Sequence, residues 1–224
     1  EYFDIEKKGL FPNTKWKKDN LGKGWVLGET LITGIGQGYI QTTPLQLCMM
    51  TAQIANGGYA IKPKIIVDNN PITYEDAKQA IEQENEQLHS SSIKLFKHKK
   101  NIKIIQEAMF SSTNERFGTS YKSRIDDPKY QFAGKTGTAQ VKRISKRERE
   151  LDLELEQIPY KDRDHALYVA YGPYINPRYA LSIIIEHGGS GSRAAAPIAK
   201  KLFKLIIDRH NLRKKQSNFE EISI

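Results

Sequence analysis

The chain has 224 residues, enough for one large domain or two small ones with a sizeable core. Hydrophobic residues make up 38% of it and no apolar run reaches the length of a membrane span, so composition excludes transmembrane and collagen-like proteins. The 35 Lys and Arg against 26 Asp and Glu give a net charge of +9, which allows an acidic partner such as nucleic acid, an anionic lipid surface or an acidic polymer but identifies none of them.

The single cysteine excludes one class of protein but leaves the cellular compartment undecided, and the first residues show no targeting signal. Cys48 has no partner for an internal disulfide, which excludes a disulfide-stapled scaffold. Because its neighbours Leu47 and Met49 are apolar, we interpret Cys48 as a small buried hydrophobe rather than a nucleophile. The chain begins with Glu1 and carries no basic-then-apolar leader, so we expect that a targeting or anchoring segment was removed or never included.

The first half of the chain contains one clear amphipathic pattern. Residues 1–33 are rich in glycine and turn residues without a helical period, which predicts extended connections. Apolar residues at a period near 3.6 predict a buried helix over 43–56, which a Gly-Gly pair ends. A short strand is predicted over 59–67. The polar composition of residues 72–98 predicts a surface excursion.

The second half alternates helix and strand patterns. A second helix is predicted over 102–109 or slightly beyond, ending near residues 111–114, and a last one over 194–208, followed by a frayed polar tail after Asn211. The mixed charge of residues 142–165 predicts an exposed helical arm or a solvated loop insertion. Strands are predicted over 131–141, 166–175 and 178–187, the last two as a hairpin.

Two glycine-containing patterns resemble nucleotide-binding motifs and fail on spacing. The run from Gly34 to Gly38 would need a third glycine where Tyr39 stands to bind a dinucleotide. The sequence that starts at Gly134 copies the end of a phosphate-binding loop, but the opening glycine of that loop would fall on Lys129. Neither motif is therefore assigned.

A third pattern, Lys135-Thr-Gly-Thr138 on a predicted strand, matches the K-T-G box of serine acyltransferases, which also use S-x-x-K and S-x-N boxes. A cation and a hydroxyl on adjacent strand positions can hold a substrate carboxylate, and Gly137 lets a ligand approach the backbone. An edge N–H just beyond can donate to a developing oxyanion. The box alone also fits a plain strand, so its surroundings decide the interpretation.

Several further segments surround this box in a fixed order. They are residues 28–38, 43–47, 55–58, 134–140, 164–166, 171–173 and 186–189, and the pairs Lys62-Pro63, Asn176-Pro177 and Ala196-Pro197. Together they resemble the penicillin-binding proteins, and the likeness is closest to the class B monofunctional transpeptidases of cell elongation. It covers most of residues 8–208 and weakens over 72–98 and 142–163.

The resemblance implies an α/β fold of the β-lactamase and transpeptidase type, an antiparallel sheet covered by helices, of which this chain is the C-terminal portion. Residues 1–212 would form the C-terminal part of the transpeptidase domain, and residues 213–224 a polar tail. Because a sheet without its other strands exposes edge groups and apolar surface, we expect the chain to self-associate.

The resemblance also implies an activity, the crosslinking of peptidoglycan stem peptides through a serine acyl-enzyme. Such D-Ala-D-Ala transpeptidases or carboxypeptidases are trapped by β-lactams and use no metal or cofactor. Lys135 and Thr136 would engage the terminal carboxylate of the donor, and Gly137 would keep the strand edge open. The N–H of Thr138 would be one of two oxyanion donors, so Lys135 and Thr138 are the candidate catalytic residues.

In that family the nucleophilic serine, its lysine and the S-x-N box lie upstream of the segment that resembles residues 34–38. We therefore expect them to be absent from this chain and the chain alone to be inactive. Ser91-Ser-Ile-Lys94 and Ser112-Thr-Asn114 match the two boxes but follow that segment, so neither is assigned. His165 and His187 are expected to be surface or hydrogen-bonded residues, because the family uses a lysine base.

The family further implies a periplasmic catalytic domain at the bacterial inner membrane, an anchor outside this chain, and a glycosyltransferase partner in the elongation machinery. A rival interpretation is a non-catalytic peptidoglycan- or protein-binding module that keeps the Lys135 strand as a binding edge. A nucleic-acid binder is a second rival. The lysines that suggest it are Lys97, Lys99, Lys100 and Lys103. No recognition motif or stacking aromatic residue accompanies them, so no nucleic-acid partner is expected.

Overall fold

The computed structural model describes residues 7–61, 63, 93–142 and 153–222. These residues form two compact units, one up to Leu47 and one from Cys48 onward, which are described separately. None of the described helices is long and apolar enough to cross a membrane. The helices are α1 (Thr14–Leu21), α2 (Leu27–Gly34), α3 (Pro44–Ala55), α4 (Lys99–Asn114) and α5 (Ala196–Ile222), and the strands are β1 (Ala133–Ala139), β2 (His165–Gly172) and β3 (Tyr179–Ile185).

The first unit contains two helices where the sequence predicted extended connections, so that prediction is wrong. The Asn13 side chain accepts the Trp16 N–H at 2.8 Å and starts α1, and Gly22 ends it in a left-handed conformation with φ 63°. The Glu29 carboxylate accepts the Val26 N–H at 2.8 Å at the start of α2. Capping bonds rather than an apolar period mark both helices, which explains why periodicity missed them.

A buried ion pair joins the first two helices. Lys17 Nζ lies 2.5 Å from Glu29 Oε1, and their side chains are 6% and 17% exposed. Lys17 Nζ also donates to the Gly24 carbonyl oxygen at 2.7 Å. The hydrogen bond from Lys17, together with that from the Val26 N–H, lowers the pKa of Glu29.

The second unit is organised on a three-stranded antiparallel sheet in the order β1-β2-β3. Lys135 pairs with Val169 and Thr136 with Tyr168 between the first two strands. Ala170 pairs with Leu181 in the hairpin of β2 and β3. The three predicted strands and the hairpin are therefore confirmed. In the described part of the chain β1 has no strand on its outer side.

Helices cover both faces of this sheet. Tyr168 and Ala170 of β2 belong to a buried cluster with Phe132 and Phe203, whose rings stack 4.9 Å apart, and this cluster anchors α5. Tyr171, which points to the opposite face, packs with Ile54 of α3 and Met109 of α4 in a second cluster. The predicted antiparallel sheet covered by helices is thus confirmed.

Several predicted boundaries differ from the observed ones. The helix predicted to begin at Ile102 begins earlier, at Lys99, and ends at Asn114 as predicted. The last helix continues to Ile222 instead of fraying after Asn211. Between residues 153 and 165 the chain forms short 3₁₀ turns, Leu155–Gln157 and Tyr160–Asp162, and no helical arm. The rest of the predicted arm, residues 143–152, lies outside the described residues, as do most of the strand predicted over 59–67 and residues 72–92 of the surface excursion.

Two tyrosines of β2 provide a matched test of the core. The Tyr168 hydroxyl lies 2.9 Å from Thr113 Oγ1 and 3.1 Å from Ser120 Oγ, whereas the buried Tyr171 hydroxyl has no hydrogen-bond partner among the described residues. We expect Tyr168→Phe to lower the free energy of unfolding by about 1 kcal/mol. Tyr171→Phe should leave it unchanged or raise it, because no bond is lost. Urea denaturation measures the free energy of unfolding of both variants. Equal losses of stability would show that the hydrogen bonds of the Tyr168 hydroxyl do not stabilise the core.

Candidate active site at the edge strand

The candidate site lies on β1, where the sequence predicted it. Lys135 is exposed, and its Nζ donates to the Thr136 carbonyl oxygen at 2.8 Å and to Thr136 Oγ1 at 3.3 Å. Lys135 forms no ion pair with any described carboxylate. A cation and a hydroxyl therefore stand side by side on a strand edge, which is the arrangement that holds a ligand carboxylate.

Gly134 determines how closely the core approaches this strand. A Cβ atom at position 134 would lie 2.4 Å from the Tyr168 hydroxyl oxygen and 2.6 Å from Cζ of the same ring. The absence of a side chain thus lets Tyr168 lie directly against β1. Thr113 Oγ1, which contacts the Tyr168 hydroxyl, also donates to the Gly134 carbonyl oxygen at 3.5 Å. The strand that carries Lys135 is therefore tied to α4 through Tyr168.

Thr119 lies beside the candidate site and was not predicted from the sequence. Its Oγ1 lies 3.3 Å from Thr136 Oγ1 and 3.2 Å from Ser112 Oγ. The next residue, Ser120, is buried, and its Oγ donates to the Ser112 carbonyl oxygen at 3.0 Å, which fixes the loop after α4. The signal available in the sequence was the concentration of hydroxyl residues between 111 and 123, but no spacing rule connects them to β1.

Gly137 and Thr138 lie further along the same edge. A Cβ atom at position 137 would lie 3.3 Å from Leu167 Cβ, so the position is close to its neighbouring strand. Thr138 is exposed. Because alternate residues of an edge strand direct their N–H and C=O groups away from the sheet, an extended ligand can pair with β1 here. The roles predicted for these two residues stay predictions.

The segment Ser112-Thr-Asn114, which matches the S-x-N box, has a structural role. Asn114 Nδ2 donates to the carbonyl oxygens of Phe110 at 3.0 Å and of Phe132 at 2.9 Å, so it joins the end of α4 to the start of β1. Ser112 Oγ contacts Thr119. Ser91 lies outside the described residues, and Lys94 of the same match forms an isolated bridge with Tyr59.

The two histidines lie next to each other at the far end of the sheet. The His187 N–H donates to His165 Nδ1 at 2.9 Å, and His187 Nδ1 lies 3.0 Å from the Arg163 carbonyl oxygen. The predicted hydrogen-bonded role is therefore confirmed for both. In the described part of the chain, no group of three His, Cys, Asp or Glu residues is arranged to hold a metal ion.

Comparison with known proteins gives one consistent family. The sequence profile of the penicillin binding protein transpeptidase domain matches residues 3–204. The chain is 31% identical over 207 residues to the peptidoglycan D,D-transpeptidase MrdA of Salmonella typhimurium, covering 91% of this chain and 31% of that protein. It is also 31% identical over 203 residues to MrdA of Escherichia coli K12, with 91% and 29% covered. The chain thus spans about a third of the length of these curated relatives.

Solved structures agree with the sequence relatives. The penicillin-binding protein PBP2 of Helicobacter pylori, in a complex with MreC, has a TM-score of 0.68 and 28% identity, covering 92% of this chain and 32% of that one. PBP2 of Pseudomonas aeruginosa in complex with WCK 5153 has a TM-score of 0.64 and 33% identity, covering 89% of this chain and 38% of that one. The resemblance inferred from the motifs is therefore confirmed.

The close approach of Tyr168 to β1 gives a test at position 134. Gly134→Ala forces a Cβ atom into the tyrosine ring, and we expect the free energy of unfolding to fall by about 1–3 kcal/mol, as in other overpacked sites. Gly24→Ala is the matched control, because nothing lies within 4 Å of a Cβ atom there. Chemical denaturation of both variants measures the difference, and equal stabilities would show that Tyr168 does not constrain the strand.

Proposed function

This chain belongs to the penicillin-binding protein transpeptidase family, and on that premise we propose that it forms the C-terminal part of a peptidoglycan D,D-transpeptidase that crosslinks stem peptides and binds β-lactams. The observation that supports this most is the contact of Lys135 Nζ with Thr136 Oγ1 on an open strand edge. A donor peptide that ends in D-Ala-D-Ala carries the carboxylate which this pair would bind.

The reaction proposed for the parent enzyme uses residues of this chain together with residues upstream of it. The serine oxygen forms an ester with the penultimate D-Ala carbonyl, the amide bond to the last D-Ala breaks, and that D-Ala leaves as the protonated amine. The amine of a neighbouring stem then displaces the serine, or water does in a carboxypeptidase reaction. Lys135 and Thr136 hold the donor carboxylate, Gly137 leaves room for its backbone, and the Thr138 N–H stabilises the oxyanion.

The nucleophile is proposed to lie outside these 224 residues, and the chain alone to be inactive. Ser112 and Asn114 have structural partners in α4, the following loop and β1, which supports leaving that pair out of the catalytic set. Losing the nucleophile from a covalent mechanism prevents the acyl-enzyme from forming and leaves only the part of catalysis that binding and the oxyanion donors supply.

The proposed setting is the one that the family resemblance implies. We place the parent protein at the periplasmic face of the inner membrane, held by an anchor outside this chain. We also propose an elongation-machinery glycosyltransferase as its partner and self-association of the isolated chain through its open strand edge. The alternative function is a non-catalytic peptidoglycan- or protein-binding module that uses the same edge, and covalent labelling distinguishes the two.

Covalent labelling by fluorescent penicillin tests the proposed transpeptidase function. It is measured on this chain and on a version extended upstream through the Ser-x-x-Lys and Ser-x-Asn boxes. We expect only the extended version to be labelled. Lys135→Ala should slow labelling at least tenfold, because a hydrogen bond to a charged group contributes about 1.5–3 kcal/mol. Lys103→Ala, which removes an exposed lysine of α4, is the control and should label normally. Labelling of the short chain would place the nucleophile within it, and no labelling of either version would favour the binding module.

The contact between Thr119 and Thr136 predicts a second effect on the extended protein. Thr119→Val removes the hydroxyl that faces Thr136 Oγ1, and we expect penicillin acylation to slow about fivefold, equivalent to about 1 kcal/mol. Thr119→Ser keeps the hydroxyl and should retain the original rate. Stopped-flow acylation kinetics measure both, and equal rates for the two variants would exclude a positioning role.

A further inference from the structure

A cavity of about 720 Å³ lies in the second unit, between the loop that follows α4 and the first turns of α5. Ile125, Tyr130 and Pro197 form apolar parts of its wall. None of the residues of the Lys135–Thr138 segment lines it, so it is distinct from the edge-strand site. Its size is that of a small-molecule site.

The charge of the wall is strongly positive. Asp127 is the only acidic residue among those that line the cavity. None of the basic side chains that line the cavity forms an ion pair with a described carboxylate. The Asp208 carboxylate, one turn beyond Lys204, instead accepts a hydrogen bond from the Tyr130 hydroxyl. Uncompensated cations around a concave apolar surface attract an anion. The basic residues of the wall are Lys122, Arg193, Lys200, Lys201 and Lys204.

The core fixes the position of α5, the helix that carries Lys200, Lys201 and Lys204. Ala199 and Phe203 are fully buried, and Phe203 stacks on Phe132 of the sheet cluster. Lys200 and Lys204 follow them on adjacent turns, so both line the cavity from a helix whose position is set by packing. Like charges at this spacing repel each other, and a bound anion relieves that repulsion.

We propose that this cavity binds a ligand with a phosphate group and an apolar portion. A phosphate carries close to two charges and three acceptor oxygens, which suit several lysine ammonium groups and the arginine fork together. The apolar portion contacts Ile125, Tyr130 and Pro197. A soluble phosphomonoester and the headgroup of phosphatidic acid both have this chemistry.

Titration calorimetry of this chain with phenyl phosphate at low salt tests the proposal. We expect saturable binding with phenyl phosphate and weaker binding with benzoate or phenol. Lys200→Gln with Lys204→Gln should weaken it at least tenfold. The matched control, Lys99→Gln with Lys100→Gln, removes the same charge from the exposed start of α4 and should change it less than twofold. No saturable binding, or equal losses in the two double variants, would overturn the site.

Vesicles distinguish the two sources of the phosphate. Retention on vesicles of phosphatidic acid with phosphatidylcholine, lost in the Lys200 and Lys204 double variant but kept in the control, identifies a lipid headgroup. Phenyl phosphate binding without such retention identifies a soluble ligand. Thermal unfolding midpoints verify that both double variants are folded. Neither readout involves penicillin labelling, so this site and the proposed transpeptidase function can fail separately.

Discussion

The hydroxyl of Tyr168 is the contact on which the rest of the second unit depends. It lies within hydrogen-bond distance of Thr113 on α4 and Ser120 in the loop after α4, while its ring packs edge-on against Phe132 at 6.5 Å. Burial raises the pKa of this hydroxyl, so it remains neutral and able to donate. One side chain thus joins helix, loop and sheet, and Gly134 supplies the space that the contact needs.

The geometry of the edge strand follows from this contact. Because Ser120 is held by Tyr168 and by the Ser112 backbone, the adjacent Thr119 is placed beside Thr136. The Thr136 hydroxyl is therefore connected to the core through Thr119, Ser120 and Tyr168, whose hydroxyls lie within hydrogen-bond distance of their neighbours. Such second contacts restrict the rotation of a site residue and preserve its orientation.

The two sites of the second unit use opposite properties of the fold. The candidate site on the edge strand presents backbone groups that pair with no described strand, and the cation beside them is Lys135. The cavity depends on side chains alone, and several cations surround an apolar wall. The loop after α4 contributes to both, with Thr119 at the strand and Lys122 at the cavity. Part of the net charge of the chain is thereby concentrated at one place rather than spread over the surface.

The sequence by itself determined the features that depend on local patterns: the three strands, their hairpin, the helices α3 to α5 in outline, and Lys135, Thr136, Gly137 and Thr138 as the candidate site. Alternation, a 3.6-residue period and a short motif are all contained in neighbouring residues. It missed α1 and α2, whose caps and the Lys17–Glu29 ion pair contribute no periodicity. Only the tertiary structure decided that Thr119 faces Thr136 and that basic residues from separate segments surround one cavity, because contacts between residues distant in sequence are set by packing of the core.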